Sequence, residues 1–274
     1  MKKSFCLLAL LPILLVSCNK DETFDTSKDF QLCKNGDLFS LDFDNTTYDS
    51  ISNNLDATSS IQSMENNEGV TFIRTSPTCH SCVDFEETFI SFIKNNMLDI
   101  SVYSDSNKAS QYATQYSNYL GEDNIEHDEE HTFLNRTPTW YYASKEKGCK
   151  IACWGGGNDY YLKTSFFKYA SITNIYKFSS IEYLQKGLEK NPNALIYLLN
   201  ENDTGSASFY KNSLYPVALK SSKPTYILDM QRVNLSEIEN VSSYFSSYSL
   251  ILGNEKANLN DETGLNSLLN SYYN

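Results

Sequence analysis

Apolar positions alternate along this chain between short continuous runs and helical spacings, which is the pattern of an α/β protein. Val70, Phe72 and Ile73 form a run that predicts a buried strand, and Phe85, Phe89, Phe92 and Ile93 follow at helix spacing. Leu98, Ile100, Val102 and Tyr103 predict the next strand. Upstream, the alternation from Phe39 to Phe43 predicts a first strand, and Asp56-Ala57-Thr58 offers a helix cap before Ile61 and Met64. Downstream lies a long polar segment, residues 106–135, in which Tyr112, Tyr116 and Leu120 mark one helix. Thr139–Ala143 and Cys149–Trp154 read as a hairpin ending in Gly155-Gly156-Gly157. Residues 180–190 then form an amphipathic helix that stops at Asn191-Pro192-Asn193.

The pattern begins again near residue 192. A shift of 125 positions (195 − 70) places Leu195, Tyr197 and Leu198 on Val70, Phe72 and Ile73, and also Tyr210 on Phe85, Leu214 on Phe89 and Ile227 on Val102. A helix from Leu235 to Phe245, a strand Leu250–Leu252 and a last helix from Asp261 to Tyr272 complete it. This predicts a second, shortened α/β unit over 192–274, although strand–helix–strand periods recur in any α/β chain.

The N-terminus changes the picture of where the protein works. Met1-Lys2-Lys3 precedes an apolar run from Leu7 to Val16, the basic start and short core of a secretory signal, too short to span a bilayer. Leu15-Val16-Ser17-Cys18 is similar to a bacterial lipobox. That resemblance implies a signal peptide of residues 1–17, a lipid on Cys18, and a protein held at the extracytoplasmic face of a bacterial cell membrane. The polar, acidic residues 18–38 read as a lipidated tether. Loss of Lys2 and Lys3 takes Lys plus Arg from 22 to 20 against 34 acidic residues, a net charge of −14. Such a surface repels phosphate backbones, which argues against nucleic-acid partners and leaves membrane attachment to the lipid.

Of seven cysteines, Cys6 leaves with the signal and Cys18 takes the lipid. Cys33, Cys79, Cys82, Cys149 and Cys153 remain, and five thiols in an oxidising compartment predict two disulfides and one spare. Cys149 and Cys153 on a regular strand would be about 13 Å apart, beyond the roughly 7 Å a disulfide allows. Either that strand is broken or one of the two pairs with Cys33.

The chemistry concentrates at Cys79-His80-Ser81-Cys82, between the predicted strand and helix. A helix N-terminus stabilises a thiolate over a thiol, so Cys79 is the candidate nucleophile. Strand, CxxC, helix, followed by Arg136-Thr137-Pro138-Thr139 running into an aromatic strand, resembles the thioredoxin superfamily. The resemblance implies a thioredoxin-like domain over 39–191 and a degenerate unit without CxxC over 192–274, where Thr204 and Ala207 take the cysteine positions. It also implies a cis Pro138 packed beside the cysteines, Thr137 presenting backbone groups to an extended substrate, and Cys82 resolving what Cys79 attacks. His80 would support the Cys79 thiolate. The chain departs from the family pattern at Ile73, where many members hold a buried Asp, and at Thr78, usually Trp.

The expected function is therefore thiol–disulfide exchange on client proteins outside the cytoplasm, with an unidentified redox partner and no cofactor beyond the reversible Cys79–Cys82 disulfide. A redox-silent thioredoxin-fold binding lipoprotein is the competing class. Zinc chemistry is the third. His127 and His131 stand at i and i+4, and two cysteine pairs are present, but the first His lacks a following Glu, and the pairs lie further apart than in compact zinc modules. The segment Glu122–His131 is read as a solvated acidic loop, and no metal is expected.

Overall fold

The computed structural model describes residues 24–274 apart from 44–45, 52–56, 105, 156–158 and 234–249. The signal peptide, Cys18, the start of the tether and the helix expected from Leu235 to Phe245 lie outside the described residues.

The chain opens with β1 (Phe30–Asn35), a 3-10 turn (Gly36–Ser40), and helices α1 (Tyr48–Ile51) and α2 (Ala57–Glu65). Next come β2 (Val70–Arg74), α3 (His80–Asp84), α4 (Glu86–Asn96), β3 (Ile100–Tyr103) and α5 (Ser106–Leu120). The hairpin β4 (Thr139–Ser144) and β5 (Gly148–Trp154) is followed by α6 (Asp159–Phe166), β6 (Ala170–Phe178), α7 (Ile181–Lys190) and β7 (Leu195–Leu199). Then α8 (Thr204–Phe209), a π-helical stretch (Tyr210–Leu214) and α9 (Tyr215–Ala218) lead to β8 (Thr225–Asp229). The hairpin β9 (Leu250–Leu252) and β10 (Glu255–Ala257) and the helix α10 (Glu262–Tyr273) finish the chain.

Two sheets result, one of four strands ordered β3-β2-β4-β5 and one of six ordered β1-β6-β8-β7-β9-β10. In the first, β2 runs parallel to β3 and antiparallel to β4, which is antiparallel to β5. In the second, β7 runs parallel to β8 and antiparallel to β9, which is antiparallel to β10. The order and directions of β3-β2-β4-β5 thus recur in β8-β7-β9-β10.

β2, β3 and β4 are buried along nearly their whole length, whereas Lys150 and Trp154 of the edge strand β5 are exposed. On one face Ile73 joins Phe89, Phe92, Trp140 and Phe166. On the other, the Phe72 ring lies 4.8 Å from Tyr116 and 5.2 Å from Tyr141, centroid to centroid. Gly187 inside α7 has a packing reason, because a Cβ there would come within 2.5 Å of the Phe178 ring. That absent side chain lets α7 sit directly on the six-stranded sheet.

Three expectations are corrected. The first strand is not Phe39–Phe43 but Phe30–Asn35, inside the expected tether, because Phe30 and Leu32 are buried against the first core and pull this segment into a sheet. Phe39 lies instead in the 3-10 turn, stacked 5.3 Å from Tyr176. The division at 191/192 does not follow the sheets, since β1 pairs with β6 and β6 with β8, so two strands from before that boundary build the second sheet. Finally, Cys33, Cys149 and Cys153 are free and buried. Among the described residues Cys79–Cys82 is the one disulfide, where two were expected.

A bulge in β5 sets two of these thiols on opposite faces of the sheet. Trp140 pairs with Cys153 but Tyr141 with Ile151, leaving Ala152 as the extra residue. The extra residue turns Cys153 to the Trp140 face, whereas Cys149 packs with Phe72 and Tyr116 on the other. Cys33 is remote from both, in the core of the six-stranded sheet.

Candidate active site

β2 delivers the site. Its last residue, Arg74, stands opposite Thr139 of β4, and Thr139 stands opposite Trp154 of β5. Three adjacent strands therefore end at one rim of the sheet, carrying the loop to Cys79, the loop from Pro138 and the side chain of Trp154. With neighbouring strands about 4.8 Å apart, the three loop starts lie within about 10 Å.

Cys79 is the N-cap of α3, and its Sγ accepts the Cys82 N–H at 3.2 Å. Its Cα is 5.2 Å from that of Cys82, and the two are disulfide-bonded. Cys79 is half-buried, whereas Cys82 is 2% exposed, so the first sulfur is the accessible one. α3 stops after Asp84 because Phe85 leaves helical geometry, and α4 starts from the same residue. Val83, one residue past Cys82, is 57% exposed, an apolar side chain in water beside the disulfide.

The Thr137-Pro138 peptide is cis. Pro138 is buried, its carbonyl accepting the Gly155 N–H at 3.0 Å, and Thr137 beside it is half-buried. His80 points to water: its side chain is 93% exposed and Nε2 lies 3.4 Å from Asp84 Oδ2.

The histidines of the acidic segment do not share a helix face. His127 Nε2 lies 3.2 Å from Glu122, and His131 Nδ1 lies 3.0 Å from Asp128, in irregular chain beyond a single 3-10 turn. Asp128 also pairs with Arg136. Desolvation pushes the Asp128 carboxyl up, but hydrogen bonds from Arg136, the Glu130 N–H and His131 outweigh it and hold it below the ordinary value. Arg136 in turn lies 4.0 Å over the Trp154 ring, a cation–π contact. Between this segment and the end of β5 opens a groove of about 610 Å³, walled by Glu126, Glu129, Glu130, Arg136 and Trp154. Sequence reading did not find this groove, although an acidic block next to Arg136 and a Trp at the hairpin's end were its visible signs.

No protein-family model matches this chain. No curated protein matches it either. Among solved structures it is similar to the crystal structure of ERdj5 form II, with 10% identity and a TM-score of 0.32 over 72% of this chain and 24% of that one. It is also similar to full-length ERdj5, with 13% identity and a TM-score of 0.30 over 82% of this chain and 33% of that one. The chain thus spans about a quarter to a third of the length of the ERdj5 chains it matches.

What the five thiols can do follows from their own surroundings. Burial pushes the Cys153 thiol up to about 11, and burial also raises Cys149 and Cys33, with Glu126 and Glu68 adding to the respective effects. A thiol held protonated in an apolar core is a poor nucleophile. Cys79 alone combines access with a helix-start position. The four cysteines considered for zinc are not brought together, and among the described residues no group of three or more His, Cys, Asp or Glu side chains is placed to hold a metal ion.

Proposed function

We propose that this protein is a membrane-anchored, extracytoplasmic thiol–disulfide oxidoreductase that acts on protein cysteines through Cys79-His80-Ser81-Cys82. The observation that carries this reading is the pairing of an accessible Cys79 at the cap of α3 with a shielded Cys82, at the sheet rim that also bears cis Pro138. In the reduced protein, the Cys79 thiolate attacks a client disulfide and releases one client thiolate. Cys82, deprotonated, then attacks the Cys79 sulfur of the mixed disulfide and releases the second. Two electrons pass to the client, and the Cys79–Cys82 disulfide forms. In reverse the same steps oxidise a client dithiol.

Thr137 and Pro138 are assigned to holding the client chain beside Cys79. His80 is assigned a supporting charge when protonated, which it shares with Asp84. A lipid on Cys18 is assigned as the anchor, supported by Lys2, Lys3 and the apolar run ending at Leu15-Val16-Ser17. The strand order shared by β3-β2-β4-β5 and β8-β7-β9-β10 supports reading the C-terminal part as a second thioredoxin-like unit. In it Asp203 caps α8 by accepting the Ser206 N–H, and no thiol is present, so the unit is redox-silent.

Single-cysteine variants test the assignment. Cys82→Ser is expected to accumulate reductant-sensitive covalent adducts with client proteins in cells, and Cys79→Ser to trap none. Faster alkylation of Cys82 than of Cys79 in the reduced protein would count against the mechanism, as would an absence of adducts from both variants.

A further inference from the structure

An arginine at the end of a buried strand is unusual, because its charge must be satisfied there. Arg74 is 4% exposed and ends β2. β2 and β3 run parallel and end at one rim, which brings the carbonyls of Thr75 and Tyr103 side by side; that of Tyr103 also accepts the Thr75 N–H at 3.0 Å. Arg74 gathers them: Nη1 donates to the carbonyl of Thr75 and, at 2.8 Å, to that of Tyr103. Its Nε–H donates at 3.0 Å to a third carbonyl, that of Leu134. A planar guanidinium with five fixed donors suits several carbonyls at once, which an ammonium does not reproduce.

The third carbonyl makes this more than a sheet-end fastening. Leu134 is 1% exposed and has φ +61, a left-handed conformation that a leucine keeps only where its surroundings over-determine it. It lies four residues before Pro138. The segment between them is pinned again at Arg136, through Asp128 and Trp154, and at the Pro138 carbonyl, through the Gly155 N–H. Arg74 is thus the member of this set that ties the approach to cis Pro138 to the strand that leads to Cys79.

We propose that Arg74 is a positioning residue that sets the gap between the cysteine pair and the Thr137-Pro138 loop, and so the fit of an extended client chain between them. The role rests on the oxidoreductase reading for its purpose, but not for its geometry. A small disulfide needs only Cys79, whereas an extended peptide needs both edges of the gap.

The test uses the mature chain and its Arg74→Lys variant, which keeps the charge and loses the fork. Two disulfides are compared as substrates: 5,5′-dithiobis(2-nitrobenzoate) and an extended peptide bearing a mixed disulfide. The ratio of peptide to small-molecule rate is expected to fall about tenfold in the variant, since misplacement of a positioning group by an ångström costs that much or more. An equal loss on both substrates, or none, overturns the positioning role. Amide exchange is followed in parallel, and residues 132–137 are expected to exchange faster in Arg74→Lys while β7 and β8 stay unchanged. Unchanged exchange at 132–137 overturns the clamp, even if the wild type reduces neither disulfide and the oxidoreductase reading fails. Should the variant not fold, the wild type is decisive by NMR: a protected Arg74 Nε–H with a through-hydrogen-bond coupling to the Leu134 carbonyl carbon is expected, and a freely exchanging Nε–H overturns the proposal.

Discussion

Lys177 of β6 and Glu68, two residues before β2, form an ion pair at 2.6 Å with each side chain only 2% exposed. The pair bridges the two sheets, and Lys177 also donates to Ser63 at 3.0 Å. Burial alone would lower the Lys177 ammonium, yet the Glu68 carboxylate, and after it Glu201 and Cys33, hold it above its ordinary value. Around the pair, β1 makes single bridges to the residues leading into the first sheet, Gly69 before β2 and Leu98 before β3.

Removing one partner of a buried pair strands the other charge in low dielectric, which costs about 3–5 kcal/mol. Lys177→Met is therefore expected to lose that much unfolding free energy in a urea titration. The double variant Glu68→Leu/Lys177→Met should recover most of it, because an apolar pair of similar volume leaves no charge stranded. A loss under 1 kcal/mol in the single variant would mean that water reaches the pair.

Glu201 gives the fold a pH dependence. Burial raises its carboxyl from 4.5 to about 7, with Lys177 opposing and Asp229 and Glu68 reinforcing the shift. It also accepts Asn66 Nδ2 at 3.3 Å. A carboxyl that binds its proton more tightly when folded adds no penalty below pH 4.5, where both states are protonated. Its contribution then grows unfavourable as pH rises from about 4.5 to about 7, and levels off above that. Glu201→Gln should therefore match the wild type near pH 4.5 and exceed it at pH 8, by up to about 3 kcal/mol. Parallel stability–pH curves for the two proteins would contradict this.

The cysteines should separate by reactivity in the reduced, folded protein. Cys79 is expected to react with iodoacetamide first, while Cys33, Cys149 and Cys153 stay unlabelled until denaturant is added, because burial holds them protonated and covered. Peptide mapping by mass spectrometry reads the order directly. Native labelling of Cys149 at the rate of Cys79 would show the hairpin open.

Anchoring is tested at Cys18. Cys18→Ala should abolish incorporation of labelled fatty acid and leave the precursor unprocessed, and continued labelling would refute the lipobox reading. Among the described residues no helix is long and apolar enough to cross a membrane.

Local order was legible without any structure. The run at Val70–Ile73, the cysteines after it and the helical spacing of Phe85, Phe89 and Phe92 depend on neighbours within a few residues, and β2, α3 and α4 stand where these patterns put them. The same holds for α7 after its Ser180 cap, β7 and β8, and for α10 after Asp261. What tertiary structure decided is which strand pairs with which. β1 offers one face to the first core and takes its hydrogen bonds from β6, some 140 residues on; periodicity is silent about a partner so remote, and the segment read as tether. Cys149 and Cys153 would share a face on any regular strand, and one extra residue at Ala152 sends them to opposite ones. By its place in the chain Arg74 is simply the last residue of β2. Only the convergence of carbonyls from Thr75, Tyr103 and Leu134, brought together from the ends of β2 and β3 and from the segment before Pro138, makes it a buried clamp, because a guanidinium's role is set by the acceptors the fold supplies and not by its place in the chain.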